Sequence, residues 1–323
     1  MNTLTANLHF QLISFYRPTP ERHKILIEDH AFPSDHFAVE SQIRQRGFDP
    51  ATSMVTVEPR SGSELIDSGD VLAAIETHGD ELAVVLLPGV QYYTGQVLPM
   101  ADITRAGHRV GAYVGFDLAH AAGNIPLELH DWGVDFASWC TYKYLNSGPG
   151  GIAGCFIHNR HVADPTLPKL TGWWGTNKST RFEMENTFDA IPTVESWQVS
   201  NPAVLPMASL RGSLESIEAA GGVTALRAKS EQQIVYMDAL LGTVIGDRVE
   251  SITPRAMAER GCQFALRITD TRFDGKDVQN RLEEAGVACD WRYPDVIRVA
   301  PVPLYNSYRD IFEFVEILDG ILT

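Results

Sequence analysis

Residues 1–200 alternate short apolar runs with segments of helical periodicity, and this alternation limits the fold more than any other feature of the chain. The run at 82–87 is continuously apolar, as is typical of a parallel strand buried on both faces. Further strands are predicted at 25–28, 54–57, 113–117 and 136–141, with helices at 37–47, 68–79 and 100–111. Strands that alternate with helices predict an α/β fold with a mainly parallel sheet flanked by helices.

The pattern changes after the segment Ser200-Asn201-Pro202. One or two long amphipathic helices are predicted over 205–241, with a break at Gly221-Gly222. Strands follow at 262–268, 287–290 and 296–300, and helices at 278–285 and 307–322. We therefore expect a large domain over residues 1–202 and a smaller C-terminal α/β domain over 203–323.

Composition argues against several classes of protein. With 26 Lys and Arg against 41 Asp and Glu, the net charge is −15, which argues against binding to nucleic acid or to an anionic membrane surface. The four cysteines have no CxxC spacing, so neither a disulfide framework nor a metal site is expected. Because no run is apolar enough to span a membrane and the N-terminus lacks a basic signal region, we expect a cytoplasmic enzyme.

Three residue types follow one another in an order that suits pyridoxal phosphate. Asp117 ends a predicted strand, where open α/β sheets bind ligands, and His120 and Lys143 follow it ahead of a glycine-rich run at 148–151. A lysine attaches this cofactor as a Schiff base, while an acid keeps its pyridine nitrogen protonated. Taken singly, Lys143 is more often a solvated side chain, Asp117 a helix cap and His120 a core residue, so the prediction depends on the ordered combination.

The motifs around these residues resemble those of the kynureninases, which are pyridoxal-phosphate enzymes of fold type I. The resemblance lies in residues 115–121, 130–137 and 142–146, and also in 32–35, 92–96, 200–202 and 298–307. The matches run in order from Leu4 to near the C-terminus, so they cover essentially the whole chain.

The resemblance implies hydrolytic cleavage of the β,γ carbon–carbon bond of L-kynurenine or 3-hydroxykynurenine. The products would be anthranilate or 3-hydroxyanthranilate and L-alanine, in tryptophan catabolism and NAD biosynthesis. It also implies a homodimer in which the two subunits share each active site.

The resemblance further assigns roles to individual residues. Lys143, Tyr142 and Asp117 would be catalytic, and Arg298 and Asn201 would bind the substrate, Arg298 through its carboxylate. Trp173 and Asn201 would come from the partner subunit. The residues that would contact the cofactor are Leu4, Thr5, Phe32, Ser34, Asp35, Asp117, His120, Tyr142, Lys143, Trp173 and Asn201. Read without the family, Phe32 and Trp173 are packing aromatics, Ser34 and Asp35 cap a helix, and Arg298 is an exposed arginine at a strand end.

The chain departs from the family pattern at three places. Pro88 replaces a common serine, and Thr176 replaces a common histidine. We also expect the family's N-terminal portion, including the first strand of the sheet, to be absent ahead of Met1.

Two alternatives therefore stay open. The chain could be a truncated, catalytically impaired fragment or pseudoenzyme. It could instead be another fold type I enzyme, such as a desulfurase or a class V aminotransferase, although Cys140 in a predicted strand is badly placed for the mobile cysteine of a desulfurase.

Overall fold

The computed structural model describes all residues, Met1–Thr323. They form two compact units. The first comprises Met1–Gly89, Pro99–Ala122 and Leu127–Ser213, and the second comprises Val90–Leu98, Gly123–Pro126 and Leu214–Thr323. The domain boundary expected after residue 202 stays a prediction.

The first unit contains a six-stranded sheet in the order β2-β1-β3-β4-β5-β6. Neighbouring strands are parallel except for β6, which is antiparallel to β5. This arrangement confirms the predicted α/β class with a mainly parallel sheet. The elements in chain order are α1 (Leu4–Phe15), β1 (Lys24–Glu28), α2 (Pro33–Gln45), α3 (Pro50–Ser53), β2 (Met54–Val57), α4 (Ser68–Thr77), β3 (Leu82–Pro88), α5 (Met100–Arg109), β4 (Tyr113–Asp117), β5 (Phe136–Trp139) and β6 (Gly154–Ile157).

The local sequence explains the burial of β3 and the starts of two helices. Six of the seven residues of β3 are buried, as its unbroken apolar sequence predicts. α4 begins after Asp67, whose carboxylate accepts hydrogen bonds from the Gly69 and Asp70 backbone amides. α2 begins at Pro33, four residues earlier than predicted, because proline suits the first helical position, where no backbone amide is needed.

Helix α1 packs against β5 and β6 through polar as well as apolar contacts. The Gln11 amide nitrogen donates to the carbonyl oxygens of Ala137 and Phe156, at 2.8 and 3.1 Å. Ser138 Oγ donates to the Gln11 amide oxygen at 2.6 Å. Leu8, Leu12 and other α1 side chains complete the core around these bonds, so Gln11 fixes α1 over the edge of the sheet that ends in β6.

The second unit contains a four-stranded antiparallel sheet in the order β7-β8-β10-β9. Its apolar core includes Ile234, Phe264, Leu282, Ile297 and Val315. The remaining elements in chain order are α6 (Val204–Ala219), α7 (Gly222–Leu240), β7 (Val249–Ser251), β8 (Phe264–Ile268), α8 (Gly275–Glu284), β9 (Asp290–Arg292), β10 (Val296–Val299) and α9 (Tyr308–Ile321).

The predicted strand at 287–290 was wrong in position, because β9 covers Asp290–Arg292. Gly286 has a positive φ of 87°, and the Val287 amide donates to the Leu282 carbonyl, so Gly286 and Val287 complete the turn that ends α8. Of the helices in either unit, none is both long and apolar enough to cross a bilayer.

Candidate active site

The candidate site lies at the carboxyl ends of the parallel strands in the first unit. β1 ends at Glu28, β3 at Pro88 and β4 at Asp117, and the chain leaves β5 toward Lys143. Since the four strands are parallel, these ends meet at one edge of the sheet, where open α/β sheets bind ligands.

Hydrogen bonds fix the conformation of the loop that carries Lys143. The hydroxyls of Thr141 and Ser147 lie 2.6 Å apart, and Thr141 Oγ1 also donates to the Ile152 carbonyl at 2.6 Å. The Ser147 amide donates back to the Thr141 carbonyl at 3.0 Å. Gly151 allows this closure, since a Cβ there would lie 2.1 Å from Ser147 Oγ. The loop therefore holds Lys143 in place from both sides.

Lys143 extends toward two of the residues expected beside it. Its Nζ lies 3.1 Å from His120 Nε2, within hydrogen-bonding distance. The same nitrogen lies 5.8 Å from the centre of the Phe32 ring. The structure thus brings Lys143, His120 and Phe32 together from three separate segments of the chain.

A pair of buried carboxyl groups lies near this lysine. Asp35 and Asp117 are 8% and 7% exposed, and their side chains share a hydrogen bond. Burial, the charge of Asp117 and that hydrogen bond raise the pKa of Asp35 well above its ordinary value. Burial also raises the pKa of Asp117, although hydrogen bonds from Asp35 and the Ala119 amide oppose the rise. We infer that Asp35 keeps a proton and donates it to the Asp117 carboxylate.

The start of α1 contributes a hydroxyl pair to the site. Thr5 Oγ1 and Ser34 Oγ lie 2.7 Å apart, which brings the first turn of α1 together with the first turn of α2. The first backbone amides of a helix have no carbonyl partner within it, and they favour a bound anion. Leu4 and Thr5 occupy this position in α1, so the arrangement suits a phosphate group.

Tyr142 differs from its neighbours in being 51% exposed. Burial of its ring and the nearby Cys140 thiol, with which it shares a hydrogen bond, raise the pKa of Tyr142. Its predicted catalytic and cofactor-binding roles stay predictions. Pro88 ends β3 and pairs in register with Asp117, so the residue that replaces the common serine lies beside the acid.

The contacts of Trp173 and Asn201 are with residues other than Lys143. The Trp173 indole nitrogen donates to the Arg181 carbonyl at 3.3 Å, and its ring packs edge-on against Phe182. Trp173, Thr176 and Arg181 line a cavity of about 470 Å³. Asn201 is exposed and accepts a hydrogen bond from Ser200. None of the hydrogen bonds or ring contacts of Trp173 and Asn201 includes Lys143.

Arg298 lies on β10 in the second unit, and its side chain is largely buried. Its Nε and Nη2 donate to the two carboxylate oxygens of Asp290, at 2.7 and 2.5 Å. Its Nη1 donates to the Tyr92 carbonyl at 2.6 Å. The side chain is therefore fixed inside its own unit, unlike the solvated strand-end arginine that the sequence alone suggests.

Glu28 is a site residue that the sequence analysis did not identify. It ends β1, is 2% exposed, and its charge helps to raise the pKa of Asp35. An acid at the end of a strand was the signal used for Asp117, and the same signal is present at Glu28. The site therefore contains three buried carboxyl groups.

Comparison with known proteins identifies relatives of this chain. The family model "Kynureninase C-terminal domain" matches residues 226–318. A kynureninase from Myxococcus xanthus is 50% identical over 320 residues, which cover 99% of this chain and 74% of the relative. Kynureninases from Koribacter versatilis and Xanthomonas campestris are 51% and 52% identical over 316 residues, which cover 98% of this chain and 74% of each relative.

Solved structures share the fold at much lower identity. The enzyme C-DES, described with glycine linked to its pyridoxal phosphate cofactor, has a TM-score of 0.82 and 19% identity, and the match covers 98% of this chain and 79% of C-DES. A cysteine desulfurase from Thermococcus onnurineus has a TM-score of 0.79 and 15% identity, covering 99% of this chain and 77% of the desulfurase. At these identities the likeness concerns the fold alone.

Proposed function

The chain belongs to the kynureninase family, and from that premise we propose that it hydrolyses the β,γ carbon–carbon bond of L-kynurenine or 3-hydroxykynurenine. The products are anthranilate or 3-hydroxyanthranilate and L-alanine, and the cofactor is pyridoxal 5'-phosphate. One observation carries the proposal: Lys143 Nζ lies 3.1 Å from His120 Nε2, at the sheet edge that also holds the buried Asp35–Asp117 pair.

The residues at this edge fit the cofactor. Asp35 Oδ1 is buried and accepts no hydrogen bond, so the acid pair still has an acceptor oxygen for a bound group, beside the Asp117 carboxylate that would pair with the ring nitrogen. Thr5, Ser34 and the first turn of α1 offer hydroxyl and amide donors to a phosphate. When bound, pyridoxal phosphate supplies a protonated ring that withdraws electrons from the substrate's α-carbon.

Each residue then has a defined task in the proposed reaction. Lys143 would hold the cofactor through Nζ, and the same amine would take the proton from the substrate's α-carbon. Asp117 keeps the proton on the pyridine nitrogen through its negative charge. Arg298 binds the substrate's α-carboxylate through two parallel N–H donors. Tyr142 is the proposed donor of the proton that completes the alanine product.

The same proposal includes a homodimer in which each active site draws Trp173 and Asn201 from the partner subunit. The exposure of Asn201 and of the Trp173 ring supports this, since both side chains are available to a second copy of the chain. The proposed compartment is the cytoplasm, in agreement with cysteines that lack the spacing of a disulfide framework.

The absorption spectrum of the purified chain with pyridoxal phosphate tests the proposal first. We expect a visible band that borohydride reduction traps on Lys143, and loss of both band and turnover in Lys143→Ala. Lys169→Ala is the matched control. Lys169 is a partly buried lysine over the Trp197 ring, and burial lowers its pKa, so it is the next lysine expected to react. A trapped cofactor in Lys143→Ala would contradict the assignment.

Product analysis then separates this activity from that of a desulfurase or an aminotransferase. We expect anthranilate from L-kynurenine, and neither sulfide from cysteine nor a keto acid from alanine. A desulfurase needs a reactive thiolate, but burial raises the pKa of Cys140 and of Cys155 and takes that of Cys289 to about 11. Sulfide release without anthranilate would overturn the proposal, and release of neither product by a chain that binds the cofactor would favour a pseudoenzyme.

Mixing two inactive variants tests the shared site. Lys143→Ala and Trp173→Ala would each damage a different half of the same site, so a mixed dimer contains one intact site. We expect the equimolar mixture to recover up to about a quarter of wild-type activity after subunit exchange, as random pairing in a two-fold dimer requires. A mixture that stays as inactive as its components would argue against sharing.

A further inference from the structure

Asp290 and Arg298 form a cross-strand pair in the second unit. β9 and β10 are antiparallel neighbours, and their register places Asp290 directly opposite Arg298. The Arg298 side chain is 11% exposed, whereas that of Asp290 is 46% exposed. The two hydrogen bonds between them use the Nε–Nη2 edge of the guanidinium group, which is the bidentate geometry that holds an arginine most firmly.

The contacts of Arg298 leave part of its binding capacity unused. A guanidinium group has five N–H donors. Asp290 accepts from Nε and Nη2, and the Tyr92 carbonyl accepts from Nη1. One N–H therefore remains on each of Nη1 and Nη2. These two nitrogens form the second edge of the fork, which can bind another carboxylate while Asp290 stays in place.

A second arginine gives the pair a net positive charge, which favours binding of another carboxylate while Asp290 stays in place. Arg292, at the end of β9, donates from Nη2 to Asp290 Oδ2 at 3.0 Å. Asp290 thus lies between two guanidinium groups, and the three side chains together carry one net positive charge. A substrate carboxylate would bring the group to neutrality. Ejecting Asp290 would instead break three charged hydrogen bonds.

We propose that Asp290 is a positioning residue, which fixes the Nε–Nη2 edge of Arg298 so that the Nη1–Nη2 edge is preorganised for the α-carboxylate of the amino-acid substrate. This inference rests on the proposed role of Arg298. Arg292 supplies the additional positive charge that lets Asp290 remain in place when the substrate binds. Preorganisation of this kind strengthens binding because the side chain loses little freedom when the ligand arrives.

The test compares two ligands that differ only in the carboxylate. L-Alanine is the amino-acid product, and ethylamine is the same molecule without its carboxylate. Calorimetry gives the dissociation constants of both ligands for the cofactor-loaded protein. The dissociation constant of ethylamine divided by that of L-alanine is the ratio that reports how much the carboxylate contributes to binding. We expect Asp290→Ala to reduce this ratio about tenfold, similar to the loss when a partner that orients a binding side chain is removed. The dissociation constant of ethylamine should stay unchanged.

Two further variants keep the result interpretable. Asp290→Asn preserves the volume and one acceptor oxygen, so it should fold even where Asp290→Ala does not, and its ratio should lie between those of Asp290→Ala and the wild type. Asp319→Ala is the matched control. Asp319 is a half-exposed carboxylate paired with Arg248 at 2.5 Å in the same unit, and its loss should leave the ratio unchanged. With L-kynurenine, Asp290→Ala should raise KM far more than it lowers kcat.

The outcomes separate this inference from the proposed function. If Arg298→Ala abolishes the carboxylate's contribution while both Asp290 variants retain it, Asp290 is only a structural strand partner. That result overturns the inference about Asp290 and leaves the proposed function intact. A larger ratio in Asp290→Ala would mean that Asp290 competes with the substrate, which also overturns the inference. An unchanged ratio in Arg298→Ala would remove the proposed role of Arg298 and the inference with it.

Discussion

Asp35 and Asp117 share a hydrogen bond in a buried site, so their ionisation must affect the free energy of unfolding. The pKa of Asp35 is raised well above its ordinary value by burial and by Asp117. A raised folded-state pKa means that stability is lost as pH rises from the unfolded-state pKa of about 4 through the folded-state value. In the cofactor-free protein, the acid pair therefore costs stability at neutral and alkaline pH.

We expect Asp35→Asn to stabilise the cofactor-free protein at pH 8 by roughly 1–3 kcal/mol, the cost of an uncompensated buried polar group. Near pH 2 the gain should largely disappear, because Asp35 is then protonated in both the folded and the unfolded state. Urea unfolding at the two pH values measures the difference. Glu40→Gln is the control, since Glu40 lies on the same helix in an exposed pair with Arg44. An equal effect of Asp35→Asn at both pH values would contradict the shared-proton interpretation.

Sequence motifs identified the residues around Lys143 more readily than their ionisation states. Lys143, His120 and Phe32 were named from motifs, and the structure brings them together. Glu28 was missed because its burial depends on neighbours that are distant in sequence. The bond between Asp290 and Arg298 could not be predicted either, since it depends on the register of two short strands.

At the scale of whole elements, Gly115 decides how closely β4 approaches β5. A Cβ at Gly115 would lie 2.1 Å from the Phe136 ring, and Phe136 is buried against Phe15 of α1, with the ring centroids 4.8 Å apart. The ring cannot move without disturbing the helix that carries Thr5. The absence of a side chain at Gly115 is therefore a packing requirement, in the middle of the strand that ends at Asp117.

We expect Gly115→Ala to destabilise the protein by about 1–3 kcal/mol, the usual cost of overpacking a dense core. Gly320→Ala is the matched control, because a Cβ there in α9 would meet nothing within 4 Å. That substitution should instead stabilise by up to about 1 kcal/mol through higher helix propensity. Thermal unfolding of both variants measures the contrast. A neutral Gly115→Ala would mean that β4 and β5 separate more easily than their packing implies.

The accuracy of the element predictions followed the strength of each local signal. β2 and β4 were predicted with their observed bounds, since both are short runs with clear flanking breaks. The end of α2 lies close to the predicted position, because Gly47 adopts a positive φ of 81°. β6 was not predicted, because its residues are stabilised by antiparallel pairing with β5 and by α1 rather than by a pattern of their own.

In the first unit, buried carboxylates lie at both ends of the parallel strands, and their pKa values shift in opposite directions. Asp135 precedes β5, at the edge opposite Asp117, and is 2% exposed. Its oxygens accept hydrogen bonds from His161 Nε2 at 2.7 Å and His108 Nε2 at 2.9 Å, and from the Arg160 guanidinium group. Burial alone would raise the pKa of Asp135, but these bonds outweigh burial and lower it well below its ordinary value.

A lowered folded-state pKa gives the opposite sign from the Asp35–Asp117 pair. Stability from Asp135 is fully present above the unfolded-state pKa of about 4 and is lost as pH falls below that value. Asp135→Asn should therefore destabilise the protein by roughly 3–5 kcal/mol at pH 7, the usual cost of breaking a buried ion pair. The loss should be similar at pH 5 and should shrink as the pH approaches 2.

Urea unfolding between pH 2 and pH 8 tests both edges of the sheet in one experiment. Asp131→Asn is the control for Asp135, since Asp131 is an exposed carboxylate four residues earlier in the chain. In the cofactor-free wild type, protonation of Asp135 lowers stability as the pH falls below about 4. Ionisation of the Asp35–Asp117 pair lowers it as the pH rises. Maximum stability should therefore lie between the two. In Asp135→Asn the acid-side loss should flatten while the alkaline-side loss persists, and flattening of both would show that the two edges do not act independently.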